Sequence, residues 1–395
     1  MTAGEQQRTA VVLSGGATYA AYQVGVLRAL FEGRSPAVAD RGPLRPDIFV
    51  GTSMGAVNAA TMVSQLGAGA LAAVQFLEEV WVNQYGADLG RCQEGAVRVR
   101  GAPENYWNPA CWLRRPLQPL SWFLEDGLYF ARDGLARMAN LLSSSGPLGR
   151  RALEVLQPVT PIADENFHRI VARTINLAAV RTSDKVLRVI TTNWRTGKLR
   201  EFGNADLTDA VGHLAIHASA AFPGVPPILI DGEPYVDGAY LLEAPTMSAW
   251  LAGADIMHLI YMDPDIDKIP LRRFDNFVDV IDKVYHIMVA DIFNRDISLA
   301  RDLNRGLAAL ERGESPSTDE QIRGVLRLVG RAVQVPPQLP PYRTLTMHCY
   351  HPGDDLGGAL GLINFDRDHI QWLIARGYRD ALEHNCQRNN CLLPE

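Results

Sequence analysis

Ser53 lies in Gly51-Thr-Ser-Met-Gly55, a G-x-S-x-G. A serine hydroxyl becomes a nucleophile when a base takes its proton and fixed donors receive the charge that develops on the attacked carbonyl. The flanking residues suit that chemistry. Ile48 to Val50 are apolar and partly β-branched, as in a short buried strand, and the small residues from Ala56 onward predict a helix. The glycines allow a sharp turn between the two, which would lift Ser53 Oγ clear of a sheet. The turn would also set the serine at a helix N-terminus, where the dipole favours developing negative charge. On its own the pattern also fits an ordinary turn serine. The strand before it and the helix after it are what favour chemistry.

A second loop, Ser14-Gly15-Gly16-Ala17-Thr18, follows an apolar strand from Ala10 to Leu13 and precedes a helix from about Tyr19 to Phe31. Its N–H groups can point at an anion. The loop is not G-x-G-x-x-G, so no dinucleotide site is expected. A parallel β-α-β unit would put both loops side by side at the carboxyl ends of neighbouring strands, where open sheets bind ligands. One loop then offers a nucleophile and the other offers donors for an oxyanion.

Two bases are open to Ser53. A triad in the order Ser, acid, His is compatible with six of the nine histidines following Asp237. However, only one clear strand precedes Ser53, His258 is inside an apolar strand, and His217 ends a helix. The other reading is a Ser–Asp dyad. Asp237, in Tyr235-Val-Asp-Gly-Ala239, follows a strand at a tight glycine turn, and burial would raise its pKa toward that of a useful base.

The 395 residues suffice for one large α/β domain with insertions or for two domains. A net charge of -6 gives nucleic acid no electrostatic support. Five cysteines, at 92, 111, 349, 386 and 391, have no framework spacing, which predicts free thiols in a reducing, cytoplasmic setting. The N-terminus lacks the apolar core of a signal peptide. No run is long enough to span a membrane, so lipid contact would be peripheral. No His/Cys/carboxylate cluster shows metal-site spacing, so neither a metal nor another cofactor is expected.

Further strands are predicted at Val186 to Thr192, with Leu199 to Phe202 pairing back as a hairpin, at His258 to Met262 and at Leu345 to Tyr350. Helices are predicted over Leu66 to Tyr85, Leu207 to Ala218 and Arg272 to Leu310. A last helix would run to Leu382, capped by Asp366 or Asp368. Trp107, Trp112 and Trp122 fall among Pro103, Pro109, Pro116 and Pro119. This stretch reads as short helices and turns, either a cap packed on the core or a lid and acyl-binding wall.

Taken in order, these blocks resemble the patatin-like phospholipase family. Leu13-Ser-Gly-Gly-Ala-Thr-Tyr-Ala-Ala-Tyr-Gln-Val-Gly-Val-Leu27 is similar to its glycine-rich first block, and Gly51-Thr-Ser-Met-Gly55 to its nucleophile turn. Ala218-Ser-Ala-Ala-Phe-Pro-Gly224, Val236-Asp-Gly-Ala239 and Leu242-Glu-Ala-Pro245 are similar to its later blocks. The resemblance implies an α/β, three-layer fold with a central, mostly parallel sheet flanked by helices. It implies metal-free hydrolysis of lipid acyl esters by Ser53 with Asp237 as base, within a motif that includes Gly51, Gly55, Gly238 and Ala239. Gly15, Gly16, Ala17 and Met54 would line the oxyanion hole. Residues 10–265 would form the catalytic domain, with a Trp/Pro-rich cap at about 86–160, after a flexible N-terminus of residues 1–9. Residues 266–395 would form a helical extension packed on that domain.

One departure stands out. Where the family has a third glycine, a basic residue and another glycine, this chain has Ala17, Tyr19 and Ala20. A methyl at 17 would strain the loop if its backbone needs positive φ, and Tyr19 cannot supply the charge of an arginine. The expected activity is therefore that of a serine acyl hydrolase on lipid. A binding scaffold without turnover and a Ser-His-Asp esterase are the other readings.

Overall fold

Strands whose residues are apolar on both faces must be covered on both faces. In the computed structural model, which describes residues 7–143, 162–222, 224–242, 244–262 and 344–393 and scattered helical positions between 283 and 305, they are. The strands are β1 (Thr9–Leu13), β2 (Ile48–Thr52), β3 (Arg98–Val99), β4 (Ile162–Ala163), β5 (Val186–Asn193), β6 (Lys198–Gly203), β7 (Ile228–Ile230), β8 (Glu233–Asp237), β9 (Ile256–Ile260) and β10 (Thr346–Tyr350). Eight of them form one sheet in the order β10-β9-β1-β2-β5-β8-β7, with β6 pairing β5 off that path. β10, β9, β1, β2 and β5 pair in parallel, whereas β6 and β8 run antiparallel to β5.

Alternate side chains feed two cores. Val11, Leu13 and Phe49 face one, and Ala10, Val12, Ile48 and Val50 face the other. The first core is closed by α1 (Ala21–Phe31), α2 (Met54–Gln65), α3 (Ala70–Val80) and the terminal helix Arg367–Leu382. The second is closed by the helix Thr246–Leu251 with Ile297 and Ala300. This is the expected mostly parallel sheet between helical layers. α1 and the terminal helix touch backbone to backbone. A Cβ on Gly25 would stand 1.9 Å from the Ile374 carbonyl oxygen, and one on Gly377 2.0 Å from that of Tyr22.

The terminal helix starts as expected, with Asp366 Oδ1 accepting the N–H groups of Asp368 and His369. The helix Gly212–Ser219 is shorter than its predicted Leu207 to Ala218. The Thr208 carbonyl accepts from both Val211 and Gly212, closing a separate turn ahead of it. The Trp/Pro-rich stretch is not only short helices, because Leu117–Ser143 is one helix of 27 residues. Pro119 falls in its first turn, where a missing N–H is tolerated. Thr9, expected in a flexible N-terminus, is already in β1. Residues 1–6, the end of the cap (144–161), most of the predicted helix Arg272 to Leu310 and residues 311–343 lie outside the described residues.

The cysteine reading is corrected. Cys92 and Cys111 form a disulfide, leaving Cys349, Cys386 and Cys391 free. The bond sits in a small core of the cap with Trp122 and Tyr106. Sequence spacing did not show it because the cap's own fold brings the two residues together. Disulfides persist in oxidising surroundings, so the argument from thiols for a reducing compartment falls away.

Candidate active site

Ser53 follows β2 with φ 55° and ψ −134°, a conformation that costs a non-glycine residue about 1–3 kcal/mol. Close packing holds it there. A Cβ on Gly51 would stand 2.4 Å from the Gly55 carbonyl oxygen, and one on Gly55 2.4 Å from the Ser14 carbonyl oxygen. The glycines therefore let α2 press against both its own strand and the loop after β1.

Register brings up the acid. β2 pairs with β5 as far as Thr52↔Ile190, and β8 then takes up the pairing with Thr191↔Asp237. Ser53 and Asp237 thus flank a single step of β5. Ser53 Oγ donates to Asp237 Oδ2 at 2.6 Å, and Asp237 Oδ1 accepts the Ala239 N–H at 2.9 Å. Both residues are only 4% exposed. Burial pushes the Asp237 carboxyl up from 3.8 to about 7, against the hydrogen bonds from Ser53 and Ala239, which pull it down.

Among the described residues, no histidine hydrogen-bonds to either member of this pair. His217 Nε2 meets Asp164 Oδ2 at 2.7 Å, and His258 Nδ1 meets the Tyr350 hydroxyl at 3.2 Å.

Sequence reasoning missed the residues that brace the turn. Ser219 accepts the Ser53 N–H at 3.0 Å and donates to the Ile190 carbonyl at 2.6 Å, tying Ser53 to the same step of β5. Its block was visible in the sequence, but this contact was not. Gln23 donates to the Ser14 carbonyl at 2.8 Å and accepts from Asn58 at 2.8 Å. The Asn58 amide oxygen accepts the Trp81 indole N–H at 2.8 Å. This buried, connected network locks the first loop to α1, α2 and Trp81, the residue that follows α3.

Gly15, Gly16 and Ala17 follow β1, the neighbour of β2 in the sheet, and Met54 follows Ser53 directly. Among the described residues, nothing accepts the N–H of Gly15 or Gly16. Met54 opens α2, so its N–H has no partner within the helix. Ala17 sits at φ 45°, so the methyl does stand where a glycine would be unstrained. Tyr19 is bound to the segment after β10. Its hydroxyl donates to the Gly358 carbonyl at 2.6 Å, and a Cβ on Gly361 would stand 2.0 Å from that hydroxyl. The Gly357-Gly358 and Gly361 run is the receptacle for this tyrosine.

The family departure thus has two parts with opposite expected outcomes. Ala17→Gly should stabilise the fold by about 1 kcal/mol, by relieving a left-handed alanine. Tyr19→Arg should destabilise it by about 3–5 kcal/mol, the effect of a buried charge without a partner. Denaturant melts of the two single variants check both, and a Tyr19→Arg protein as stable as wild type would contradict the second.

The fold also gathers a group that the sequence spacing did not reveal. His348, His384, Cys386 and Cys391 present one ligand atom each, all within 4.8 Å of one another. The expectation that no metal-type cluster exists is corrected. Three of the four are within eight residues near the C-terminus, but the fourth comes from β10.

The family model of patatin-like phospholipases matches residues 11–250. This chain belongs to that family, whose members generally hydrolyse lipid esters. No curated protein matches the chain. Among solved structures, VipD from Legionella pneumophila is similar at 14% identity with a TM-score of 0.32, over 94% of this chain and 67% of VipD.

Proposed function

We propose that this protein hydrolyses fatty acyl esters of phospholipids or related lipids, with Ser53 as nucleophile and Asp237 as base. The observation that carries this reading is the 2.6 Å hydrogen bond from Ser53 Oγ to a carboxylate whose pKa is raised to about 7. An ordinary aspartate is too weak a base for a serine hydroxyl. One tuned near neutrality is closer to the optimum.

Asp237 takes the hydroxyl proton as Ser53 attacks the ester carbonyl. The N–H groups of Gly15, Gly16, Ala17 and Met54 receive the oxyanion. Collapse expels the alcohol, which leaves with the proton from Asp237, and an acyl-enzyme remains. Water, deprotonated by Asp237, then releases the fatty acid and restores Ser53. No metal takes part in these steps. The test is labelling by a fluorophosphonate probe, wild type against Ser53→Ala, followed by a panel of acyl esters. An unlabelled wild type would favour a binding scaffold.

Lipid access is assigned to the cap. The helix Leu117–Ser143 buries Trp122 and Asp126 while exposing Leu117, Leu120, Leu124 and Leu128. Arg98 pins its inner side, paired with Asp126 at 2.6 Å and stacked over Trp122 at 5.4 Å. A helix with an apolar stripe facing water suits a lipid surface. No described helix is long and apolar enough to cross a membrane.

The tryptophans therefore divide. Trp112, 48% exposed, should on replacement by alanine weaken liposome binding several-fold with little change in turnover of a short soluble ester. Trp122→Ala should instead destabilise the cap by about 3–5 kcal/mol, as a large core deletion does. Vesicle sedimentation and cap proteolysis separate the two. Equal loss on lipid and soluble ester for Trp112→Ala would remove it from the membrane face.

A further inference from the structure

The structure assigns a second site, remote in sequence from the catalytic motifs. We propose that His348, His384, Cys386 and Cys391 bind one zinc ion that fastens the C-terminal tail to the edge of the sheet.

The distances carry the argument. Cys386 Sγ lies 3.5 Å from His348 Nδ1 and 3.5 Å from His384 Nε2, and Cys391 Sγ lies 3.6 Å from His384 Nε2. Around a tetrahedral zinc, with Zn–S of about 2.3 Å and Zn–N of about 2.0–2.1 Å, sulfur and nitrogen stand about 3.5–3.6 Å apart. These three separations match adjacent ligands of a tetrahedral shell, and the four atoms together, all within 4.8 Å of one another, would close on an ion by small side-chain rotations. Two thiolates and two neutral imidazoles suit zinc among the common divalent ions. Binding converts two thiols to thiolates, releases two protons and leaves a neutral centre. Four protein ligands leave no open position for chemistry, so the role is structural.

The surroundings are built for it. His384 is 5% exposed, and its Nε2 faces both sulfurs. The Cys349 N–H donates to Cys391 Sγ at 3.3 Å, a contact that stabilises a thiolate and orients it. The chain between the two cysteines is held in a tight loop. Asn385 Oδ1 accepts the N–H groups of Gln387 and Arg388, and the Cys391 N–H donates to the Cys386 carbonyl at 3.0 Å. Leu392 then bonds reciprocally with Met347 on the outer strand, at 2.7 and 2.9 Å.

The segment after Leu382 buries little apolar surface. Asn385, Gln387, Arg388 and Asn390 are exposed. Hydrophobic contact alone therefore holds this tail weakly, and a metal supplies the missing attachment. The tail in turn covers β10, the edge strand, whose free backbone groups would otherwise be open to pairing with another chain.

The test uses the full chain without a histidine tag, produced with zinc in the medium and exchanged into metal-free buffer. Elemental analysis should find about one zinc per chain, falling at least tenfold in Cys386→Ser/Cys391→Ser. Cobalt(II) added to the stripped wild type should give the intense visible bands of a tetrahedral site with thiolate-to-cobalt charge transfer. A thiol-blocking mercurial should release the zinc from the wild type, a measurement that stands even where the double variant fails to fold. Three results would each overturn the proposal. One is well below a tenth of an equivalent of zinc in folded wild type, a second is stoichiometric zinc that survives the double substitution, and a third is a Cys386–Cys391 disulfide in the unreduced peptide map.

Discussion

Ser53→Ala should lower acyl-ester turnover by about 10⁴-fold or more, as loss of a serine nucleophile does in related chemistry. It should also abolish fluorophosphonate labelling. The fold should survive, because alanine takes up the same backbone angles and Asp237 keeps its bond from the Ala239 N–H. Steady-state rates on a micellar ester, with a labelling gel and a melting curve alongside, give the answer. A variant that labels as wild type does would remove Ser53 from the mechanism.

Asp237→Asn should cost nearly as much rate and, unusually for a buried substitution, increase stability. Asparagine fills the same space and can still bond to Ser53 and Ala239, but it cannot take a proton. The stability effect follows from the raised pKa. Below about pH 4 the aspartate is protonated in folded and unfolded chains alike, and it imposes no penalty. Between pH 4 and about 7 the unfolded chain ionises while the folded one holds its proton, so wild-type stability falls as pH rises. Above pH 7 the loss is complete, at about 4 kcal/mol. The advantage of Asp237→Asn should therefore grow from almost nothing at pH 4 to that order at pH 8, measured by denaturant unfolding. Over the same range wild-type turnover should rise through about pH 7, as the base ionises. A pH-independent stability difference would mean that Asp237 is not titrating as described. No single His→Ala variant should reproduce the rate loss. One that did while folding normally would restore the triad.

The parts legible in the sequence are those written locally. β1, β2, β5 and the β5/β6 hairpin announced themselves as apolar runs between turn residues, and Gly51 and Gly55 marked the sharp turn at Ser53. Asp237 stood out because a glycine follows it at the end of a strand. What escaped was set by partners far along the chain. Nothing near Tyr19 says that its hydroxyl is received by Gly358, or that Ser219 holds the Ser53 amide. The Cys92–Cys111 bond depends on how the cap folds, and His348 joins Cys386 and Cys391 only after the terminal helix has returned the chain to β10. The long helix from Leu117 was obscured by prolines that break helices internally but are harmless in a first turn.

The strand β5 sets a timing for the whole molecule. Ser53 and Asp237 are 184 residues apart, and they meet only because β8 continues, beside Thr191, the pairing that β2 leaves at Ile190. As the chain emerges from the ribosome, Ser53 is made long before Asp237. If Asp237 is the base proposed above, a fragment ending anywhere short of β8 carries an unarmed hydroxyl, and so does a chain from which proteolysis has stripped that strand. The proposed lipid cleavage is thereby coupled to completion of the sheet. Under the proposed mechanism, a half-made copy could not yet cut lipid.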